Sequence, residues 1–274
     1  MQSNSSISHA EIKVILDLLY RHYGYDFSNY APASLGRRME KLMYDRKAAT
    51  GAELIDMMRA NPEIFNDLLE VLTVNVTEMF RDPSFFRTMR EKVIPVLASY
   101  PAIKIWHAGC ATGEEVYSTC ILLREAGLLH RSRIYATDVN PANVEKAATG
   151  VLPLKYMKGN TSNYLQSGGI HDFSDYYTAM YDKAIIRKDI RERVVFQQHN
   201  LVTDGSFNEF QLIFCRNVMI YFDKTLQDNA VKLFYDSLMP LGFLALGMKE
   251  SLLFSALEDR FEAFEAGVKI FRKK

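Results

Sequence analysis

The sequence predicts an α/β protein in which a small all-helical unit precedes a run of alternating strands and helices. Apolar residues recur at helical spacing as far as about residue 72. From Ile103 onward, short apolar runs typical of buried strands alternate with helical patterns, and glycine or polar residues follow these runs. Because parallel strands end at the same edge of a sheet, these residues predict a ligand site there.

Composition limits the classes of protein that need to be considered. The chain has 274 residues, 48% of them hydrophobic, and 33 basic residues balance 33 acidic ones, so neither disorder nor nucleic-acid binding is expected. The three cysteines form no CxxC pair and the six histidines are scattered, so we expect no metal. There is no signal-peptide pattern and no apolar window long enough to span a bilayer, so we expect a cytoplasmic protein without membrane insertion.

The N-terminal unit carries a locally basic helix. Ser8 and Glu11 form a capping-box pattern that starts the first helix. Leu35, Met39 and Leu42 predict the buried stripe of the second helix. Its other faces carry five cations: Arg37, Arg38, Lys41, Arg46 and Lys47. Such a charge run is either a solvated helix face or a dock for an acidic partner.

The stretch from Ile103 to Ser118 predicts a cofactor-binding loop. It reads IKIWHAGCATGEEVYS: an apolar strand, a glycine-containing turn and the start of a helix. Glycines without a Cβ and free N–H groups at a helix start allow close approach of a polar or anionic ligand. The spacing is not GxGxxG, which disfavours a nicotinamide cofactor.

The ends of three further strands supply candidate ligand residues. A strand over 133–137 ends at Asp138, a position that suits hydrogen bonding to the ribose of an adenosine-containing cofactor. A strand over 194–198 leads to Asn200 and Leu201, and a strand over 212–215 leads to Arg216 and Asn217. Between the second and third core strands, the region of about 151–193 predicts an insert with short antiparallel strands.

Four segments, NVTEMFRD, GCATGEEVYS, ATDVN and FCRNVMIYFDK, resemble the CheR family of chemotaxis receptor methyltransferases. The resemblance covers almost the whole chain. It implies a helical N-terminal receptor-docking domain over 1–72 and a linker over 73–90 that contributes to the active site. It further implies a Rossmann-like S-adenosylmethionine-dependent methyltransferase domain over 91–274, with the antiparallel insert inside it.

The resemblance also implies roles for individual residues. Arg81 and Tyr221 correspond to the catalytic positions, although Tyr221 could equally be an aromatic side chain packed beside Phe222. The implied cofactor-binding residues are Asn75, Thr77, Arg81, Gly109, Gly113, Glu114, Glu115, Asp138, Asn200, Leu201, Arg216 and Asn217. Of the two glutamates, Glu115 is the expected direct cofactor contact. In two places the sequence departs from the family: Gly247-Met248-Lys249-Glu250 stands where many members have Gly-His-Ser-Glu, and the insert lacks a glycine-rich turn, so tethering to a receptor peptide is not expected.

The implied activity is methyl transfer from S-adenosylmethionine to glutamate carboxylates on the cytoplasmic helices of chemoreceptors, with S-adenosylhomocysteine as product. The five cations of the second helix then become docking residues for acidic receptor helices. We expect a monomer, and no direct contact with nucleic acid. The alternatives are a regulatory adaptor that binds the cofactor without methyl transfer, and a small-molecule carboxyl methyltransferase.

Overall fold

The computed structural model describes residues 7–23, 27–28, 30, 32–61, 63–72, 77–253 and 255–274. The chain divides into two compact units, and the second contains most of it. The first unit is Met1–Asn75 together with Ile220–Ala230, and the second is Val76–Met219 together with Val231–Lys274. The sequence analysis assigned 220–230 to the methyltransferase domain, whereas contacts group this segment with the helical unit. Within the described residues, no helix combines the length and apolarity needed to cross a membrane.

The first unit is built from short amphipathic helices whose starts follow the predicted caps. Ser8 and Glu11 form the capping box, since the Glu11 N–H donates to Ser8 Oγ at 3.3 Å and the Ser8 N–H donates to Glu11 Oε2 at 2.8 Å. The predicted stripe Leu35, Met39 and Leu42 is buried. The four helices are α1 His9–Tyr23, α2 Pro32–Arg46, α3 Gly51–Ala60 and α4 Glu63–Leu72.

The second unit is organised around a seven-stranded sheet in the order β6-β2-β1-β7-β8-β10-β9. The first five strands in this order run parallel, and β10 and β9 pair antiparallel at one edge. The strands are β1 Ile103–Ala108, β2 Ser132–Asp138, β6 Val194–Gln198, β7 Phe210–Cys215, β8 Leu238–Leu246, β9 Phe261–Glu265 and β10 Ile270–Lys273. The strands predicted over 133–137, 194–198 and 212–215 are confirmed as β2, β6 and β7, whereas β9 was not predicted.

Helices pack against this sheet and complete its core. The helix after β1 runs over 114–125, because the glycine turn ends at Gly113. These helices are α5 Pro83–Thr88, α6 Ile94–Leu97, α7 Glu114–Glu125, α8 Pro141–Thr149, α10 Lys188–Arg191 and α11 Lys224–Ser237, with a π-helix Met89–Val93 between α5 and α6. The first part of α11 belongs to the other unit.

The predicted antiparallel insert is present as a separate three-stranded sheet in the order β3-β5-β4. The prediction missed one helix in this region, α9 Met157–Gln166. Its sequence, MKGNTSNYLQ, has weak helix propensity. Tertiary contacts stabilise it instead: Asn160 Oδ1 accepts from the Met79 N–H at 3.2 Å and the Tyr164 side chain is fully buried. The three strands are β3 Val151–Pro153, β4 Tyr177–Met180 and β5 Lys183–Ile186.

The strand order places a topological switch point at β1. From β1 the chain proceeds to β2 and β6 on one side, and then crosses to β7 and β8 on the other. In open parallel sheets, ligands bind at the carboxyl edge beside such a reversal. The loops that follow β1, β2, β6 and β7 are therefore the place to look for a site.

Candidate active site

The loop after β1 is a backbone cradle, as its glycines predict. Gly109 and Gly113 have φ angles of +79° and +93°, a region that residues with a Cβ rarely adopt. The N–H groups of Gly109 and Cys110 both donate to the Thr137 carbonyl oxygen at 2.8 Å, which holds the loop against β2. A Cβ on Gly109 would lie 2.5 Å from Val218 Cγ2. Only glycine therefore lets the loop after β1 pack directly on the segment after β7.

Asp138, at the end of β2, ties two of these loops together. Its Oδ2 accepts from the Ala111 N–H at 2.9 Å. Its Oδ1 accepts from the Asn140 N–H at 2.9 Å and from Asn143 Nδ2 at 3.1 Å. Burial raises the pKa of this carboxyl group, and the three donors oppose that effect. A carboxylate oxygen can accept two hydrogen bonds, so Oδ2 retains capacity for a ribose hydroxyl.

Glu115 lies at the centre of a buried ionic cluster. Its Oε2 accepts from Arg216 Nη1 at 2.6 Å, and its Oε1 lies 3.1 Å from His107 Nδ1. Arg216 also donates through Nη2 to Asp82 Oδ2 at 2.6 Å. Burial alone would raise the pKa of Glu115, but the charges and hydrogen bonds of Arg216 and His107 outweigh it and lower that pKa. Glu115 is thus held as a carboxylate.

The surroundings of Arg216 assign it a supporting position. Its side chain is 1% exposed, and its guanidinium carbon lies 3.9 Å from the centre of the Phe85 ring. The sequence analysis expected Arg216 to bind the cofactor. In the structure its guanidinium is enclosed by Glu115, Asp82 and Phe85, so it fixes Glu115 from behind, whereas the Glu115 side chain keeps 19% of its surface.

Glu114 and Cys110, the other polar groups of the loop, have local roles. Glu114 Oε2 accepts from Thr112 Oγ1 at 2.7 Å, and burial raises the pKa of this glutamate. Burial raises the pKa of the Cys110 thiol well above its usual value, which disfavours thiolate chemistry. Of the two glutamates, Glu115 is therefore the one whose pKa is lowered, and its role as the cofactor contact stays a prediction.

The loop after β7 is held by a residue that the sequence analysis did not identify as functional, Glu250. Its Oε2 accepts from the N–H groups of Asn217 at 2.9 Å and Gly247 at 2.6 Å. Its Oε1 accepts from the N–H groups of Val218 and Met219, each at 2.8 Å. This carboxylate, 5% exposed, fixes the loop that carries Asn217, whose φ angle is +61°. The resemblance offers one signal for Glu250, its match to the glutamate of the family's Gly-His-Ser-Glu segment, whereas its partners in the loop after β7 lie 31 to 33 positions away.

The segment that precedes α5 also reaches this region. Asn75 lies outside the described residues, and Thr77 is half-buried at the start of the described segment. The Phe80 N–H donates to Ser118 Oγ at 2.9 Å, and Phe80 itself has a φ angle of +52°. The Arg81 carbonyl accepts from Arg216 Nη2 at 3.4 Å. Arg81 therefore adjoins the ionic cluster through its backbone.

Asn200 and Leu201 form a buried turn directly after β6. Asn200 Oδ1 accepts from the Val202 N–H at 2.9 Å, and the Asn200 N–H donates to Asp204 Oδ2 at 2.9 Å. The neighbouring His199 N–H donates to the Asp138 carbonyl at 3.2 Å, so this turn lies beside the end of β2. The second unit thus brings together the predicted residues of four strand ends.

Tyr221 and the predicted docking residues belong to the first unit. The guanidinium of Arg38 lies over the Tyr221 ring, 4.3 Å from its centre, and Arg38 also donates to the Leu72 carbonyl. Phe222 packs edge-to-face on Tyr30 with ring centres 5.0 Å apart. Tyr221 is therefore not simply packed against Phe222. It is carried on the helical unit and contacts one of the five cations.

The residues of the second unit fit an adenosine-containing cofactor with a cationic end. Gly109 lets a ligand approach the backbone closely, and Asp138 places a carboxylate where the ribose is expected. Glu115 supplies an ionised carboxylate, and Arg216, its partner in the ionic cluster, already pairs with it. A family model described as the CheR methyltransferase S-adenosylmethionine-binding domain matches residues 75–270. Another, described as the CheR methyltransferase all-alpha domain, matches residues 10–73. Fold and site thus define an S-adenosylmethionine-dependent methyltransferase.

The chain belongs to the CheR methyltransferase family. It is 48% identical over 263 residues to the provisionally named methyltransferase Cher3 of Pseudomonas putida, covering 96% of each chain. It is 30% identical to the chemotaxis protein methyltransferase of Listeria innocua over 85% of this chain and 87% of that one. It is 28% identical to the chemotaxis protein methyltransferase of Salmonella typhimurium over 95% of this chain and 90% of that one. The recognition made from the four sequence segments is confirmed.

Proposed function

We propose that this methyltransferase acts on glutamate side chains in the cytoplasmic helices of chemoreceptors, producing glutamate methyl esters and S-adenosylhomocysteine in the cytoplasm. Relatives that match most of the chain are named chemotaxis protein methyltransferases, which supports a chemoreceptor substrate. The observation that carries the substrate class is an exposed basic ridge on α2, which suits docking of an acidic receptor helix.

The basic ridge consists of Arg37, Lys41 and Tyr44, which are spaced four and three residues apart and so share one helix face. All three are exposed, and Tyr44 retains 84% of its surface. Lys47 continues the exposed positive charge just beyond the helix. An exposed aromatic residue between cations offers apolar contact as well as charge complementarity to an acidic amphipathic helix.

The other two predicted docking residues have partners inside the first unit. Arg38 contacts Tyr221 and the Leu72 carbonyl, and Arg46 forms an ion pair with Asp67. Their charges are therefore partly committed to the fold of this unit. We accordingly assign docking to the basic ridge and Lys47.

The chemistry of the proposed reaction needs positioning rather than a general base. A glutamate carboxylate is already ionised at neutral pH, so no proton has to be removed before its oxygen attacks. When bound, S-adenosylmethionine supplies a sulfonium-activated methyl group, which the carboxylate oxygen receives as the carbon–sulfur bond breaks. We assign Glu115, Asp138 and the loop at Gly109 to cofactor binding, and Arg81 and Tyr221 to orienting the substrate carboxylate.

Transfer of radiolabelled methyl groups to receptor cytoplasmic fragments tests this proposal. We expect base-labile label on glutamate with the wild-type protein. A protein that binds S-adenosylhomocysteine but labels no fragment would instead be a cofactor-binding adaptor, and label on small carboxylic acids alone would indicate a small-molecule enzyme.

Charge reversal on the basic ridge tests the docking surface separately. Arg37→Glu combined with Lys41→Glu should raise KM for the receptor fragment at least about tenfold at low salt and leave the affinity for S-adenosylhomocysteine unchanged. Arg59→Glu is the matched control, since Arg59 is an exposed cation on α3 in the same unit. Equal effects of the ridge and control variants would contradict docking on α2.

A further inference from the structure

His107, the second-last residue of β1, lies in the ionic cluster but was not among the residues that the sequence predicts for the site. Its side chain is 1% exposed. The imidazole stacks on the Phe214 ring of β7, with the ring centres 4.2 Å apart and the planes 8° from parallel. Because two neighbouring strands fix both rings, the direction in which Nδ1 points is set by the sheet.

Hydrogen bonding defines which form of His107 the structure contains. Nδ1 lies 3.1 Å from Glu115 Oε1, and an ionised carboxylate only accepts, so Nδ1 carries the proton. Nε2 is buried and has no hydrogen-bond partner among the described residues. The Nδ1–H of His107 is therefore directed at Glu115.

The Glu115 carboxylate is held from two sides and still keeps an exposed part. Among the described residues, Arg216 pairs with both Glu115 and Asp82. Arg216 reaches Glu115 at Oε2 and His107 reaches it at Oε1, so the carboxylate plane is held from two sides. A cationic group that approaches the exposed part of Glu115 would pair with a carboxylate whose orientation is already fixed. The ammonium group of S-adenosylmethionine is such a cation.

We propose that His107 is a positioning residue for cofactor binding: its Nδ1–H holds Glu115 in the orientation that receives the ammonium group of S-adenosylmethionine. The proposal rests on the assignment of Glu115 as a cofactor contact, and it is independent of which substrate is methylated. An ordinary core histidine would contribute to stability through its stacking on Phe214 alone. The proposal adds a contribution of His107 to cofactor affinity.

Two substitutions separate the hydrogen bond from the packing. His107→Phe keeps an aromatic ring to stack on Phe214 and removes the donor. His107→Asn removes the ring and places an amide nitrogen near the position of Nδ1, so the donor is kept. Each variant is titrated calorimetrically with S-adenosylhomocysteine, which carries the ammonium group, and with 5′-methylthioadenosine, which lacks it. Thermal unfolding without ligand reports the packing.

We expect His107→Phe to bind S-adenosylhomocysteine about tenfold more weakly than wild type and to bind 5′-methylthioadenosine equally well. His107→Asn should retain S-adenosylhomocysteine affinity within about threefold, even though its lost stacking lowers its melting temperature. If His107→Phe binds S-adenosylhomocysteine as tightly as wild type, or loses affinity for both ligands alike, the positioning role is wrong. A wild-type protein that does not distinguish the two ligands would overturn the ammonium contact itself. These titrations do not measure receptor methylation. A wrong assignment of the substrate would therefore appear only in the labelling experiment and would leave the binding results unchanged.

Discussion

Replacement of Arg216 by methionine is the sharpest test of the ionic cluster. Methionine fills much of the same volume beside Phe85 but removes the guanidinium that contacts both Glu115 and Asp82. The variant leaves Glu115 as a buried carboxylate with His107 as its one remaining partner in the cluster. It should therefore destabilise the second unit more than a typical core substitution does.

The expected loss of stability follows from the exposure of each partner. The Arg216 and Glu115 side chains are 1% and 19% exposed, and removal of one partner of a buried pair costs about 3–5 kcal/mol. Asp82 is 36% exposed, so its pair with Arg216 is screened by solvent and adds about 0.5 kcal/mol. The total is about 4 kcal/mol. For a domain of this size, that corresponds to a fall in melting temperature of about 10 °C.

Thermal unfolding followed by circular dichroism measures this shift. Arg133→Met is the matched control, because Arg133 is an exposed arginine on β2 of the same unit, and it should change the melting temperature by no more than about 1–2 °C. The double variant Arg216→Met with Glu115→Gln should recover part of the loss, since it also removes the uncompensated carboxylate. If Arg216→Met melts within about 2 °C of wild type, or if the double variant is the less stable, the cluster does not hold the loops as described.

Three further predictions concern the loops around the site. Gly109→Ala should abolish measurable S-adenosylhomocysteine binding, because the new Cβ would lie 2.5 Å from Val218 Cγ2 at a φ angle of +79°, and a calorimetric titration of the folded variant would detect any affinity that remained. The Glu250 carboxylate accepts from four backbone N–H groups, and Glu250→Gln replaces one of its two oxygens by an NH₂ group, so two of these N–H groups would face a donor. We expect the free energy of unfolding in urea to fall by about 2–4 kcal/mol. An unchanged unfolding midpoint would contradict the role of this carboxylate. The pKa of Glu115 is lowered in the folded state, so the stability that this carboxylate contributes is complete above the ordinary glutamate range and is lost as pH falls through the folded-state pKa. The difference in unfolding free energy between wild type and Glu115→Gln should therefore be largest near pH 7 and shrink in acid. A difference that does not change with pH would refute this linkage.

Much of the fold could be predicted because its signals are local. The capping box at Ser8, the stripe at Leu35 and the glycine turn after Ile103 each depend on residues a few positions apart, and the structure confirms all three. The convergence of strand ends followed from the parallel-sheet rule alone. Family membership was likewise readable from four short segments, among which FCRNVMIYFDK was the most specific.

The tertiary structure decided the features that depend on distant partners. Helix α9 forms despite weak local propensity because Asn160 and Tyr164 are held by residues far away in the chain. The β9 strand exists only as the partner of β10. No periodicity could have shown that contacts group Tyr221 with the helical unit, where it lies beneath Arg38.

For the candidate site as well, the sequence determined some features and the tertiary structure determined others. The sequence alone determined which residue types stand at the carboxyl ends of the strands, because backbone periodicity fixes where a strand stops and a loop begins. Only the tertiary structure decided what those residues do there. It enclosed Arg216 behind Glu115, directed His107 at the same carboxylate, and assigned Glu250 to four backbone donors. The contacts of Glu115 with Arg216 and of Glu250 with the loop after β7 join residues 31 to 101 positions apart, and such long-range contacts are absent from any local pattern.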